Sequence, residues 1–129
     1  MNRKLRRRIY VAGAIRNPDN IEFLNNLRTG MRYCTELILA GYAPFCPFLD
    51  FMYFFQLREN ERFEVEDIHE YSLSFLPGSD AMIVLPTCGV GEGVAPEIEE
   101  AVKLGIPVFY DKTSMITYLE VLEELYGLD

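Results

Sequence analysis

The sequence predicts an α/β protein: a small flavodoxin-like or Rossmann-like three-layer fold with a parallel sheet of four to five strands. Two observations predict this class. Short β-rich apolar runs alternate with longer segments whose apolar residues recur every three or four positions. Such alternation is typical of parallel strands joined by right-handed helical crossovers. A chain of 129 residues can bury one core, so we expect residues 1–129 to form one domain, with 1–8 as a basic arm.

The first half of the chain predicts two strands and a long helix between them. The first strand is expected in RRIYVAGAI, and NPDN then supplies a proline and capping side chains for the helix. An apolar stripe predicts the buried face of that helix: Ile21, Leu24, Leu27, Met31, Cys34 and Ile38. Gly30 interrupts the helix at modest cost, and Gly41 ends it. YAPFCPF predicts a short second strand.

The second half predicts two more strands, two clear helices and a less regular middle. LDFMYFFQLREN predicts a helix or loop over the upper edge of the sheet. RFEVEDIHEYSLSFL predicts a helix whose inward side chains are Val65, Ile68, Tyr71 or Ser72, and Phe75. AMIVLP is the clearest buried strand, and a helix from about Val94 to Leu104 follows it. IPVFY predicts the last strand, and Thr113 or Ser114 is expected to cap a closing helix.

Charge and apolar run length exclude several classes of function. The net charge is −8, and the basic residues concentrate in residues 3–8, so the rest of the chain is strongly acidic. An acidic body disfavours a nucleic-acid groove; the basic arm is either a solvated tail or a contact for RNA or DNA. No apolar run approaches the roughly 20 residues that span a bilayer, and the first apolar run, about six residues, is short for a signal peptide. We therefore expect a cytoplasmic protein with no membrane contact.

The metal-ligating residue types form no recognisable site in the sequence. The three cysteines are Cys34, Cys46 and Cys88, without C-x-x-C spacing, which favours buried thiols over a disulfide or a zinc site. His69 is the one histidine, beside three acids, and has no second histidine or cysteine at ligand spacing. We expect no metal.

Glu97 is the most unusual acid in the sequence. In a helix that starts near Val94, Glu97 lies in the first turn, in line with Val94, Ala101 and Leu104. A carboxylate among apolar neighbours, near the positive end of a helix, is expected to be ionised but poorly solvated. Such a group suits a nucleophile or a cation ligand. The alternative is that Glu97 only favours the helix dipole.

Two glycine turns, AGAIR and GVGEG, follow the first and third strands and are expected to face each other across one pocket. GVGEG matches neither the dinucleotide fingerprint nor the Walker A loop, although free N–H groups at a helix start suit a phosphate. Arg16 either clamps a phosphate or pairs with Asp19. Tyr10 either orients a catalytic carboxylate or belongs to the core.

Three segments together resemble the nucleoside 2-deoxyribosyltransferase superfamily, which includes the deoxynucleoside-monophosphate N-glycosidases: RRIYVAGAIR, GSDAMIVLP and GEGVAPEIEEAVKLGIPV. The most specific element is Gly-x-x-x-Glu-Ile-x-x-Ala, from Gly93 to Ala101. The nucleophilic glutamate of the superfamily matches Glu97, and its first-strand tyrosine matches Tyr10. The loop GAIR is closer to the monophosphate-hydrolysing branch than to the transferases.

The resemblance implies cleavage or transfer at the N-glycosidic bond of a (deoxy)nucleoside or its 5′-monophosphate, without cofactor or metal. Glu97 attacks C1′, Tyr10 orients its carboxylate and Asp80 forms the pocket floor. The residues expected to bind substrate are Gly13, Ala14, Ile15, Arg16, Phe45, Phe48, Gly91 and Gly93. Phe45, Phe48 and Tyr53 are expected to stack on the base. Members of the superfamily complete the pocket from a neighbouring subunit, so a homodimer or higher homo-oligomer is implied.

The sequence departs from the superfamily pattern at two polar positions. An aspartate of the transferases, eight residues before the strand-leading aspartate, is Ser72 here. Six residues before the nucleophile the transferases have another aspartate and the glycosidases a phosphate-binding serine, and this chain has Gly91. Asp67, Ser72, Ser79 and Glu92 are candidate substitutes. The alternative function is a catalytically inactive nucleotide-binding or interaction module of the same fold.

Overall fold

The computed structural model describes residues 5–87 and 94–126 of the chain. Its strands are β1 (Arg8–Ala12), β2 (Ala43–Phe45), β3 (Ala81–Val84) and β4 (Val108–Phe109). Its helices are α1 (Asn20–Leu39), α2 (Val65–Leu73), α3 (Ala95–Lys103) and α4 (Lys112–Tyr126), and a 3₁₀ helix (Pro47–Gln56) lies between β2 and α2. The order of the elements confirms the predicted alternation of strands and helices.

The described strands form one parallel sheet in the order β2-β1-β3-β4. In the register, Tyr10 on β1 lies opposite Phe45 on β2 and Met82 on β3. The chain passes from β1 to β2 on one side and then crosses to β3 on the other, so the winding direction changes between β1 and β3. In doubly wound sheets, ligands bind beyond the carboxyl ends of the strands at this point.

Each face of the sheet has its own hydrophobic core, which confirms the three-layer α/β class. Alternate residues of a strand point to opposite faces. One core joins β1 and β3 to helices α1 and α4 and includes Ile9, Val11, Ile83, Leu37, Met115 and Leu119. The other joins the opposite side of the same strands to α3 and to the segment after α2, and includes Tyr10, Ala12, Met82, Leu76, Ala101 and Ile106.

Helix α1 faces the core with a stripe that differs from the predicted one. Its buried residues are Asn26, Leu27, Gly30, Cys34 and Leu37. Ile21, Leu24 and Ile38 are exposed, so their prediction as core residues is wrong. The reason is the ring of Phe48, which lies so close that a Cβ on Gly30 would be 2.2 Å from its Cγ atom. Gly30 is therefore a contact point and not a tolerated interruption.

The helix ends confirm some of the predicted caps and correct one. Asp19 caps α1 by accepting hydrogen bonds from the N–H groups of Ile21 (2.8 Å) and Glu22 (3.2 Å). Gly41 ends α1 with a φ of +97°, which an L-residue rarely adopts. Asp111 caps α4, because its Oδ1 accepts from the N–H of Ser114 at 2.8 Å. The predicted caps Thr113 and Ser114 were wrong, since the helix begins at Lys112.

Helix α2 buries one apolar and one polar side chain, Ile68 and Ser72. Of the two residues predicted for the inward position, Ser72 is buried and Tyr71 is exposed. Phe75, predicted to be inward, lies at the surface with 39% exposure. Within residues 5–87 and 94–126, no helix combines the length and the hydrophobicity that crossing a membrane requires.

Candidate functional site

The candidate site lies at the carboxyl ends of β1 and β3. The Leu85 N–H donates to the carbonyl of Ala12 at 2.8 Å, so the two strands stay paired to the point where each chain turns away. Gly13 follows β1 directly, and a Cβ there would lie 2.8 Å from Phe48 Cζ and 3.0 Å from Thr87 Oγ1. The glycine therefore allows the two loops to approach each other. Of the turn GVGEG, only the flanking residues belong to the described part of the chain.

The loop after β1 is held by the core on one side and exposed on the other. Ile15 is buried, and its carbonyl accepts a hydrogen bond from Asn26 Nδ2 at 3.1 Å. Ala14 is half-buried. Arg16 is exposed and pairs with Glu66 of α2 at 3.7 Å, whereas Asp19, the predicted partner, caps α1. An exposed pair of this kind contributes little to stability, so the guanidinium is free to exchange Glu66 for a ligand anion.

Glu97 lies in the first turn of α3, directly after Pro96. The residue is partly buried, and its Oε2 atom is shielded from solvent and has no hydrogen-bond partner within residues 5–87 and 94–126. Burial raises the pKa of Glu97 to about 7. The carboxyl group is therefore about half ionised at neutral pH, less than the sequence predicted. Of the apolar residues predicted to lie in line with Glu97, Ala101 is fully buried and Leu104 is 43% exposed.

Tyr10 lies in the middle of β1 and is fully buried. Its hydroxyl has no hydrogen-bond partner among the residues that the structure describes. Burial raises the pKa of Tyr10, and the carboxylates of Glu97 and Asp50 raise it further. The hydroxyl is therefore near both acids. A buried polar atom without a partner costs about 1–3 kcal/mol, so a ligand or an ordered water that hydrogen-bonds to Tyr10 and Glu97 would be stabilising.

Asp50 is the residue of the site that sequence reasoning missed. It lies on the 3₁₀ helix, is only 7% exposed, and its Oδ2 accepts a hydrogen bond from Ser72 Oγ at 2.7 Å. Burial raises the pKa of Asp50, and the bond from Ser72 partly opposes this. The signal in the sequence was one acid inside the otherwise apolar run PFLDFMYFF.

Two of the aromatic residues expected to stack on a base have no free ring face. Phe45 is stacked between Tyr10, at a centroid distance of 5.5 Å, and Phe75, at 4.8 Å. Phe48 is 1% exposed and fills the space beside Gly30. Both rings are packed against other side chains beside the site and do not form its surface. Tyr53 is 51% exposed and offers an accessible ring.

Asp80 lies at the other end of the sheet. Its side chain accepts a hydrogen bond from the N–H of Arg8 at 2.7 Å and pairs with Arg7 at 3.4 Å, where β1 and β3 begin. Arg7 also pairs with Glu123 at 3.4 Å. The expectation that Asp80 forms the pocket floor is therefore corrected, because the length of β3 separates it from the carboxyl edge. Gly91 and Gly93 lie outside the described residues.

The described residues predicted to replace the two missing polar groups of the superfamily pattern do not lie at the candidate site, with one exception. Asp67 accepts a hydrogen bond from the N–H of Glu64 at 2.7 Å and caps α2. Ser79 donates to the carbonyl of Phe75 at 3.5 Å, and Glu92 lies outside the described residues. Ser72 is the exception, since it holds Asp50. Among the described residues there is no group of three or more His, Cys, Asp or Glu side chains placed to hold a metal.

The comparisons with known proteins give a family without an assigned activity. The sequence has no significant match among curated proteins. Residues 7–111 match DUF7768, a domain of unknown function. This range runs from the start of β1 to the cap of α4 and includes Tyr10, Asp50, Ser72 and Glu97. The chain therefore belongs to the DUF7768 family.

Proposed function

We propose that this protein cleaves or transfers the N-glycosidic bond of a (deoxy)nucleoside or its 5′-monophosphate, with Glu97 as the nucleophile. One observation carries the proposal: an oxygen of Glu97 is shielded from water and has no partner in the described part of the chain, at the edge of the sheet where doubly wound folds bind ligands. A carboxylate in such a place is well suited to attack carbon, because few hydrogen bonds must break first.

The chemistry follows the pattern of retaining glycoside cleavage. The Glu97 carboxylate forms a bond to C1′ while the C1′–N bond breaks, and the bonding electrons leave with the base. Water then releases the sugar, or a second base accepts it. The Tyr10 hydroxyl has no partner among the described residues and is affected by the charge of Glu97; in the substrate complex it would orient the attacking carboxylate by donating a hydrogen bond to it. The exposed Arg16 binds the 5′-phosphate by giving up its weak pair with Glu66.

The proposal includes a homodimer or larger assembly. The 3₁₀ helix beside the site exposes large apolar side chains, among them Met52 (43%), Tyr53 (51%) and Phe55 (78%). Exposed apolar side chains grouped in this way are typical of contact surfaces between proteins. Light scattering on the purified chain is expected to give at least twice the monomer mass, and a Phe55→Ser variant is expected to dissociate more readily. A monomer at micromolar concentration would contradict this part of the proposal.

The test is release of free base. The protein is incubated with deoxynucleosides and their 5′-monophosphates, and free base is measured by chromatography. Glu97→Gln is expected to abolish release, since the amide cannot attack C1′. Glu99→Gln is the matched control, because Glu99 is exposed on the same helix, and it is expected to retain activity. Equal rates for Glu97→Gln and the wild type would exclude Glu97 as the nucleophile.

The second candidate is a nucleotide-binding module without turnover. The positions of Asp80, Phe45 and Phe48 favour it, because none of the three contributes a free group or ring face at the carboxyl edge. The same panel separates the two functions when the melting temperature is measured alongside base release. A nucleotide that raises the melting temperature while no substrate yields free base would support the binding module.

A further inference from the structure

The 3₁₀ helix crosses the carboxyl edge of the sheet and is fixed there by Phe48. The ring of Phe48 lies against Gly30 of α1 and reaches Gly13 at the end of β1. Two residues later, Asp50 is buried on the side of α2, where Ser72 donates a hydrogen bond to it. The backbone that carries Asp50 is therefore held by the core, and the direction of its carboxyl group is held by Ser72.

Asp50 has an oxygen available for a further hydrogen bond. In the described part of the chain, the bond from Ser72 Oγ to Oδ2 is its one side-chain hydrogen bond. Its charge acts on the hydroxyl of Tyr10, as does the charge of Glu97. The two carboxyl groups therefore both lie near this hydroxyl, one from the 3₁₀ helix and one from α3.

Burying an acid without a cationic partner is costly unless the acid has a role. No ion pair to Asp50 is formed by the described residues, although Ser72 lowers the cost by one hydrogen bond. Asn at position 50 would keep an acceptor for that bond without a buried charge. The combination of a fixed carboxyl group, a free oxygen and a second acid nearby is typical of the paired acids that cleave glycosidic bonds.

We infer that Asp50 is the acid that protonates the departing base, and that Ser72 is the residue that positions it. This inference rests on the proposed function and assigns its second carboxyl group. It also gives Ser72 a purpose, because the hydrogen bond from Ser72 fixes the direction of the Asp50 carboxyl group.

The assigned step balances in protons and electrons. As Glu97 bonds to C1′, the C1′–N electrons pass to the base nitrogen, and the proton of Asp50 is transferred to the base. The free base leaves, and Asp50 is a carboxylate. In the second step a water attacks C1′, the Glu97–C1′ bond breaks, and Asp50 takes the proton of that water. Both acids then have their starting charges, and one water has been consumed.

The protonation states are compatible with this assignment. Burial raises the pKa values of both Asp50 and Glu97, so each acid keeps its proton to a higher pH than it would in water. The reactive form has a proton on Asp50 and a negative charge on Glu97. A hydrogen bond from the Tyr10 hydroxyl to Glu97 in the substrate complex would favour this form.

The test compares two leaving groups. The substrate that the wild type cleaves is paired with an analogue whose base departs without protonation, N7-methylated for a purine or 5-fluorinated for a pyrimidine. Asp50→Asn keeps the side-chain volume and an acceptor for Ser72. Its kcat/KM is expected to fall about 10²- to 10⁴-fold on the ordinary substrate and less than about 10-fold on the analogue. Glu70→Gln, which changes an exposed acid on α2, is the control and is expected to change neither rate.

Each outcome of this test decides a different point. Equal loss on both substrates, or no loss on either, overturns the assignment of Asp50 and leaves the proposed function standing, provided Glu97→Gln is inactive on both. If the wild type releases base from neither substrate, the proposed function and this inference fail together. If Asp50→Asn does not fold, Ser72→Ala replaces it, and the assignment then requires the same selective loss on the ordinary substrate at a smaller magnitude.

Discussion

Ionisable groups lie at both ends of strands β1 and β3, and the partners of these groups differ between the two ends of the sheet. At the amino end, Asp80 accepts from the N–H of Arg8 and pairs with Arg7, which also pairs with Glu123. At the carboxyl end, Glu97 and Tyr10 each have a buried oxygen that no described residue hydrogen-bonds. The amino end also has one unpaired atom, Nη2 of Arg7, but the charge of that guanidinium is balanced by two carboxylates.

The amino and carboxyl ends of the sheet therefore have different roles. Charges that compensate one another within the protein hold strands together and need no ligand. Buried polar atoms that stay unpaired lower stability, and proteins retain them where a substrate completes the hydrogen bonding. We therefore assign structural support to the amino end and chemistry to the carboxyl end.

The largest effect is expected for Glu97→Gln on catalysis. Removing the proposed nucleophile is expected to lower kcat/KM for base release by roughly 10³-fold or more, because in the proposed mechanism the remaining residues provide only binding, orientation and proton transfer. Initial rates from chromatography measure the loss. A loss of less than about 10-fold would mean that another group attacks C1′.

The second prediction concerns the pH dependence of stability at the carboxyl end. Glu97 has an ordinary pKa of 4.5 and a folded-state value of about 7, so the unfolded chain ionises it more readily. Below about pH 4.5 Glu97 is protonated in both states, so the wild type loses no stability from ionising it. Above about pH 7 ionising the buried group lowers the free energy of unfolding by its full amount, about 3 kcal/mol. Glu97→Gln has no such loss. Relative to this variant, wild-type stability in urea unfolding is expected to fall by about 2–3 kcal/mol from pH 5 to pH 8, and a constant difference would contradict the burial of Glu97.

The third prediction concerns the support of the carboxyl end. Gly30→Ala is expected to lower the free energy of unfolding by about 1–3 kcal/mol, because the new Cβ overlaps the ring of Phe48. A gain in helix propensity of about 1 kcal/mol reduces the net loss. Urea unfolding gives the value. In a Phe48→Leu background, Gly30→Ala is expected to lower the free energy of unfolding by less than it does in the wild type. An equal loss in both backgrounds would show that the ring is not the cause.

The smallest effect is expected at the amino end. Asp80→Asn keeps an acceptor for the N–H of Arg8 and removes the charge that faces Arg7. We expect a loss of about 1 kcal/mol or less in the free energy of unfolding, and base release within about two-fold of the wild type. A 100-fold loss of base release with an unchanged melting temperature would place Asp80 in the reaction, as the superfamily resemblance implies, and would break the division between the two ends.

The order of the elements and both cores could be predicted because they depend on local periodicity. AMIVLP is apolar throughout and became β3, with all of its residues in the sheet buried. The face of α1 could not be predicted as well, because its orientation depends on the contact between Gly30 and Phe48, which are far apart in sequence. By helix propensity alone Gly30 destabilises the helix, whereas packing against Phe48 requires a residue without a Cβ at this position.

Part of the candidate site could be predicted for the same reason. The burial of Glu97 was predicted because its apolar neighbours lie within one helix, three or four residues away. Asp50 was missed because its partner Ser72 is 22 residues distant and on another element. The position of Asp80 could have been inferred, since a residue that precedes a strand lies at its amino end, opposite the edge where ligands bind.

The most direct test of the account is a titration of Glu97 itself. Carboxyl ¹³C chemical shifts of glutamate-labelled protein are followed from pH 3 to pH 9, and Glu97→Gln identifies the resonance. The account predicts one glutamate with a pKa near 7, and a further change in that pKa when a nucleotide binds. A Glu97 resonance that titrates near 4.5, with or without nucleotide, would show that its carboxyl group is solvated and would contradict the proposal that it attacks a bound sugar.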